Sequence, residues 1–393
     1  MRIKLSDPVL VAESSFVNET GVDRWGFHQF PVLDRLLDGR IAVTFHINAD
    51  SARAYGKAAA EPNRAVSPDE GQTWVRGPAH EPVAGLTLPN GEKLLAGRPE
   101  VTPRPLEVAS YVLPPQRGTT TGSYGQQHHG YYRHDELPPE LQGVPVARLG
   151  TNGAWQAERA RLHDPAMLRG TAEGVFPVTW WGDVHATDSG ALLAVVYPGR
   201  IEGPDFAHGH VACYRSDDAG HSWQVQGRIL YRPESKSDSH AAERDGFTEP
   251  ASIVLPDGEL LAVLRTTDGH GDGPLYLCRS KDEGRTWSSP RVLRANGVLP
   301  RLLRLDNGVL VLSTGRPGAE LMFSADGRGE AWRETRALVP ITSDYNQHDS
   351  CGYTSLLAVG RDAFLVAYSW FRKPADRGQT RKAILVRRVQ VTL

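Results

Sequence analysis

Four versions of one short phrase recur along this chain: SPDEGQTW from Ser67 to Trp74, SDDAGHSW from Ser216 to Trp223, SKDEGRTW from Ser280 to Trp287, and a degraded SADGRGEAW from Ser324 to Trp332. The first three obey Ser-x-Asp-x-Gly-x-Ser/Thr-Trp without exception. Asp and Ser side chains bond backbone groups in tight turns, Gly supplies a turn geometry that other residues resist, and Trp buries a large apolar surface. Each copy therefore predicts a rigid hairpin turn pinned by an indole. A second repeat interleaves with the first, a Gly-containing turn opening an apolar strand: LLDGRIAVTF, LPNGEKLLAG, TDSGALLAVV, LPDGELLAVL, LDNGVLVLST and VGRDAFLVAY, six in all. Hairpin turns between short β-rich runs at this spacing argue against helices and parallel α/β units.

The Ser-to-Trp phrase resembles the Asp-box, or BNR repeat, of sialidase-type β-propellers, and several full copies in one chain make that resemblance specific. With the six hairpin repeats it implies an all-β fold, a single six-bladed β-propeller domain over residues 1–393. The early segment IKLSDPVLVAES and the final ILVRRVQVTL are expected to pair and close the ring, removing exposed sheet edges.

Composition narrows the partners. Forty-four basic against 46 acidic residues give a formal charge of −2, so the chain carries no electrostatic footprint for nucleic acid. It has no apolar run of membrane-spanning length. The start, MRIKLSDPV, lacks the apolar stretch of a signal peptide, which leads us to expect a cytoplasmic location. The three cysteines, Cys213, Cys278 and Cys351, are too few for a disulfide framework and read as small apolar packing residues. No cofactor is implied.

Blade two departs from the rhythm. A long insertion at about 99–174 runs through PPQRGTTTGSYGQQHHGYYRHDELPPE. Long loops in compact domains are often lids or binding loops, and the aromatic and His content suits sugar contact; the alternative is a solvated surface loop. His128, His129, His134 and Asp135 match no compact metal-ligand spacing.

The resemblance also implies a site. In FTEPASIVLPDGELLAVLR, Glu249 matches the glutamate that activates the nucleophile, and Arg265, sixteen residues on, matches the second arginine of a carboxylate-binding triad. Arg316 stands where the family has its third arginine, and Tyr353 in CGYTSLLAV aligns with the nucleophilic tyrosine. The chemistry is coherent: a sugar with a carboxylate on its anomeric carbon would repel a carboxylate nucleophile but not a phenol, whose proton Glu249 would take. Arg265 and Arg316 would grip the substrate carboxylate with planar forks.

The first blade departs from the family. Where sialidases present Arg-Ile-Pro, this chain has Gln29-Phe30-Pro31, with Arg24 upstream as a candidate compensating charge. Where the family carries its acid/base Asp, the chain has His46, with Asp50 four residues later; either would serve as general acid. Trp180, Trp181, Asp183 and His185 in blade three, His208 and His210 near its next strand, and Tyr345, His348 and Asp349 before Tyr353 are further candidates to line a sugar site. Three function classes follow. One is a sialidase-like exo-glycoside hydrolase removing a terminal acidic sugar, sialic or another nonulosonic acid, by a retaining Tyr353/Glu249 mechanism. Another is a propeller lyase acting on uronates with His, Tyr and Arg, and the third is a non-catalytic carbohydrate-binding propeller. The expected partner is a carbohydrate, with a homo-oligomer possible.

Overall fold

The computed structural model describes residues 1–19, 24–47, 63–78, 81–96, 106–121, 128–172, 174–176, 181–234, 236–266, 272–342 and 349–393. Contacts divide the chain into two compact units, one formed by Met1–Ala84 with Asn296–Leu393 and the other by Gly85–Ala295.

The first unit holds three sheets. Strands β1 (Arg2–Leu5) and β2 (Val9–Glu13) precede a four-stranded meander of β3 (Phe27–Arg35), β4 (Ile41–Ile47), β5 (Asn63–Ser67) and β6 (Val75–Gly77). In the second unit β7 (Leu86–Thr87), β8 (Lys93–Ala96), β9 (Leu106–Glu107), β10 (Gly118–Thr121), β11 (His128–Arg133), β12 (Val144–Leu149), β13 (Trp155–His163), β14 (Met167–Gly170) and β15 (Val175–Phe176) come first. There follow β16 (Trp181–Ala186), β17 (Leu192–Ile201), β18 (His210–Ser216) and β19 (Ser222–Ile229), then β20 (Phe247–Val254), β21 (Leu260–Thr266), β22 (Leu275–Ser280) and β23 (Arg291–Arg294). The chain returns to the first unit with β24 (Val298–Arg304), β25 (Leu310–Gly315), β26 (Ala319–Ser324) and β27 (Glu334–Val339), and ends on β28 (Thr354–Gly360), β29 (Ala363–Pro374) and β30 (Thr380–Thr392).

Each of the six Gly-containing repeats connects the first two strands of a sheet: β3–β4, β7–β8, β16–β17, β20–β21, β24–β25 and β28–β29. Both N-terminal strands pair antiparallel with the C-terminal β30, as expected from the terminal segments.

All four Ser-to-Trp turns sit between the third and fourth strands of their sheets, and their bonds follow the residue types. In the copy after β5, Ser67 Oγ donates to Asp69 Oδ1 at 2.8 Å and accepts the Gly71 N–H. Asp69 also accepts from the Thr73 N–H and hydroxyl, and Trp74 Nε1 donates to the Gly71 carbonyl at 3.2 Å. Those donors pull the Asp69 pKa down to about 2, with the Thr73 hydroxyl foremost. The glycine is required twice over. Gly284 has φ 85°, and a Cβ there would come 2.3 Å from Cys213 Sγ on the preceding blade. Cys213 and Cys278 are buried in that same apolar cluster, the packing role expected of them.

The tryptophans are not equally covered. Trp223 is 1% exposed, whereas Trp74 and Trp287 are half-buried against their clusters. In the degraded copy the extra residue before Trp332 breaks the pattern: Asp326 still caps the turn, but the Trp332 Nε1–H meets no acceptor.

Residues 99–174 are not one continuous insertion. Strands β12 and β13 lie within them and complete blade two, with β12 pairing antiparallel to β8 and β13 to β12. The turn between them, Gly150-Thr151-Asn152-Gly153-Ala154, is closed by a Gly150 N–H bond to the Ala154 carbonyl, with Asn152 Oδ1 accepting the Ala154 N–H. Part of the added chain, β10, β11 and β14, forms a strip of sheet on the far end of β17. Among the described residues no helix is long and apolar enough to cross a membrane.

Candidate active site

The first strands of three blades open on the same strained device. Phe30, Glu249 and Leu299 have φ of 54°, 41° and 34°, each precedes a proline, and each lies in a register shift of its strand pair. A non-glycine residue in the left-handed region costs about 1–3 kcal/mol, and a following proline adds its own restriction. Such bulges re-aim side chains and often adjoin active sites. The spacing is fixed: from Pro31, Pro250 and Pro300 it is eight residues to the turn glycines Gly39, Gly258 and Gly308.

In the second unit the bulge presents Glu249 to Arg265. Arg265 Nη1 donates to Glu249 Oε2 at 2.6 Å, and the two side chains are 7% and 11% exposed. Two other candidate residues act between strands. Asp183 Oδ2 accepts the Ser252 N–H at 2.8 Å, and His185 Nε2 shares a 2.9 Å bond with Ser252 Oγ, so both tie β16 to β20. Burial lowers the His185 pKa, keeping the ring neutral for that bond. His208 Nδ1 bonds the Arg244 carbonyl, and His210 is 1% exposed with its pKa pushed by burial down to about 3. His134 is likewise buried, its Nε2 accepting the Gly143 N–H, and His129 Nδ1 bonds the Thr171 carbonyl. Among the described residues no three His, Cys, Asp or Glu side chains gather as metal ligands.

The first unit assembles Tyr353, Arg316 and His46 around two aromatic rings that sequence reasoning did not single out. The Phe30 ring meets His46 and Tyr353 edge-on, at 5.0 Å between centroids in each case. Arg316 lies with Cζ 5.7 Å from the Tyr353 centroid and 5.3 Å from that of Trp25, while its Nε donates to the Cys351 carbonyl at 3.0 Å. Arg316 is 4% exposed and, like Glu249, lies in the left-handed region, with φ 54°.

Two first-blade candidates are placed differently from the sequence expectation. Gln29 is fully buried, and its Oε1 accepts the Gly26 N–H at 2.9 Å, leaving the carboxamide no surface on which to touch a ligand. Arg24 has its guanidinium 3.6 Å and 4.0 Å from the Phe16 and Phe27 ring centroids and 3.7 Å from a Glu19 oxygen, which engages it away from a compensating role. Asp349 is buried and accepts the Thr342 N–H. Asp50, Trp180, Tyr345 and His348 lie outside the described residues, as do the side chains of Trp181 and His128.

Chemically, the first unit offers a phenol, an imidazole and a guanidinium on an aromatic floor, and the second a carboxylate bonded to a guanidinium. Several solved structures share this architecture. A Dyadobacter fermentans protein of unknown function matches at a TM-score of 0.61 with 17% identity over 99% of both chains. The NanB sialidase of Streptococcus pneumoniae matches at 0.52 with 13% identity over 96% of this chain and 70% of that one. The fold is that of the sialidase β-propellers. A Hadza microbial sialidase aligns at a TM-score of 0.48 and 17% identity over 86% of this chain, which spans 63% of that protein's length. No protein-family model and no curated protein matches.

Proposed function

We propose that the chain is a sialidase-like exo-glycoside hydrolase that removes a terminal acidic sugar. The observation that carries this reading is the Glu249–Arg265 pair, a carboxylate and a guanidinium bonded at 2.6 Å on a strained bulge. Residues held in sparsely populated conformations cluster at functional sites, because their cost persists only where the surrounding structure enforces it. In the reading, Glu249 accepts the Tyr353 phenol proton as Tyr353 Oη attacks the anomeric carbon, and the departing alkoxide is protonated by His46 or Asp50. Water then cleaves the glycosyl-tyrosine bond and the phenol recovers its proton. Arg265 and Arg316 hold the sugar carboxylate, Arg316 braced against the Tyr353 and Trp25 rings.

The mechanism requires Tyr353 Oη and a Glu249 oxygen to come within hydrogen-bond reach. Its test is mass spectrometry of the protein treated with a 2,3-difluorinated sialic acid. A mass increase on the Tyr353 peptide, abolished in Tyr353→Phe, supports the mechanism; full turnover of an aryl sialoside by Tyr353→Phe rejects it.

One observation favours a second reading. His46 and Tyr353 both pack edge-on against one Phe30 ring, and the first-blade arginine position is a buried glutamine. An imidazole and a phenol there suit proton abstraction next to a uronate carboxylate, the chemistry of a lyase. An unsaturated product absorbing in the ultraviolet would select the lyase. Sugar binding without turnover of either kind would leave a binding propeller.

A further inference from the structure

The blade repeat carries a residue count that extends into blade three. Seven residues beyond the turn glycine, Gly39 leads to His46, Gly258 to Arg265, and Gly308 to Gly315 beside Arg316. The same count from Gly190 leads to Tyr197, near the end of the second strand of blade three. The strand register differs by one residue: Tyr197 lies opposite Trp181, nine residues before Gly190, whereas Arg265 and His46 lie opposite Thr248 and Gln29, ten residues before their turn glycines, because the β16–β17 pair has no register shift.

The local packing fits a built position. The Tyr197 ring packs against Gly209, where a Cβ would stand 3.0 Å from ring atom Cε2 and 3.4 Å from the phenol oxygen. Gly209 is itself fastened to the segment leading into Glu249: its N–H donates to the Asp245 carbonyl at 2.6 Å, and its carbonyl accepts the Phe247 N–H at 3.0 Å. Beyond Tyr197, Arg200 on the same strand donates through Nε to the Tyr131 hydroxyl and through Nη1 to the Phe206 carbonyl. Tyr131 belongs to β11, so the added strip of sheet braces the strand end that bears Tyr197. Tyr197 is half-buried, and burial foremost, followed by the neighbouring Tyr131, raises its pKa to about 12, so the phenol stays protonated.

We propose that Tyr197 is a specificity-determining residue of the Glu249–Arg265 site, its hydroxyl donating a hydrogen bond to an uncharged polar group of the acidic sugar. Blade three thus reads a hydroxyl or acetamido group where blade four presents Arg265. The proposal rests on the acidic-sugar reading above.

The test is titration calorimetry of the full chain with N-acetylneuraminic acid and with analogues each lacking one hydroxyl or the acetamido group. Wild type, Tyr197→Phe and Arg265→Met are compared. Loss of one neutral hydrogen bond predicts binding about three- to tenfold weaker in Tyr197→Phe, with no further loss for one analogue, the one lacking the group Tyr197 contacts. Arg265→Met weakens every carboxylated ligand. If Tyr197→Phe binds as wild type does, or weakens every analogue equally, the Tyr197 assignment is overturned while the acidic-sugar reading stands. If wild type binds none of these sugars, or Arg265→Met binds them unchanged, the acidic-sugar reading fails and takes the assignment with it.

Discussion

Neutralising one member of the Glu249–Arg265 pair should destabilise the second unit far more than neutralising the second member afterwards. The charges sit 2.6 Å apart at their nearest atoms, on side chains 7% and 11% exposed. For charge centres about 4 Å apart at an effective dielectric of about 20, Coulomb's law gives about 4 kcal/mol of attraction. Breaking such a buried pair from one side leaves the other charge uncompensated, at a cost of about 3–5 kcal/mol. Gln at position 249 keeps an acceptor for Arg265, so about 2–3 kcal/mol is expected for Glu249→Gln, and about 3 kcal/mol for Arg265→Met. The unit spans Gly85–Ala295, a size at which each kcal/mol moves the melting temperature by about 2–4 °C, so Glu249→Gln should melt about 4–12 °C early. The double variant contains no unpaired charge and should melt close to the single variants, a coupling of about 2–3 kcal/mol. The strained φ at position 249 is present in all four proteins and cancels in the cycle. Thermal unfolding followed by circular dichroism measures it. Strictly additive losses, with the double variant falling by the sum of the singles, would refute the claim that the two charges depend on each other.

Among the Ser-to-Trp turns, Trp223→Ala should cost the most, about 3–5 kcal/mol, with Trp74→Ala and Trp287→Ala cheaper and Trp332→Ala cheapest; equal melting shifts across the four would contradict the burial argument. Three imidazoles lose stability as pH falls. Burial, aided by nearby cations, depresses His28 and His134 to about 4 and His210 to about 3, so their contribution is complete above about 6.5 and is lost as pH drops toward those values. By pH 5 the cost is about 2 kcal/mol for each, and a melting temperature unchanged between pH 7 and pH 5 would rule this out. If His46 protonates the leaving group, His46→Ala should slow natural glycosides much more than activated aryl glycosides; equal losses on both would move the acid role to Asp50.

The parts of the fold most legible in the sequence are those whose determinants lie within a dozen residues. Each Ser-to-Trp turn closes on its own Asp and Gly, and five of the six hairpins on a left-handed turn glycine, Gly360 of the sixth lying within β28, so both repeats read largely from local chemistry. Blade two hid two strands because the turn between β12 and β13 keeps an Asn-Gly and a following Trp155 but lacks the Ser and Asp that mark its counterparts. Asp183 and His185 look like sugar ligands in sequence. Their actual partner, Ser252, stands 69 and 67 residues away on another blade, a distance at which residue type says nothing about pairing.

Counting within the repeat would have gone further than residue type did. The interval from the bulge proline to the turn glycine, and the seven residues onward to the second-strand position, are written plainly in blades one, four and five. They assign Phe30 and Tyr197 to the positions that bear Glu249 and Arg265 in blade four. The same count from Gly91 in blade two reaches Arg98, which lies outside the described residues. Repetition thus marks equivalent positions whatever side chain occupies them, Leu299 and Gly315 in blade five included. If Tyr197 acts as proposed, the substitutions at those positions, Phe30 where blade four has Glu249 and Tyr197 where it has Arg265, are where the blades of this chain differ in what they recognise.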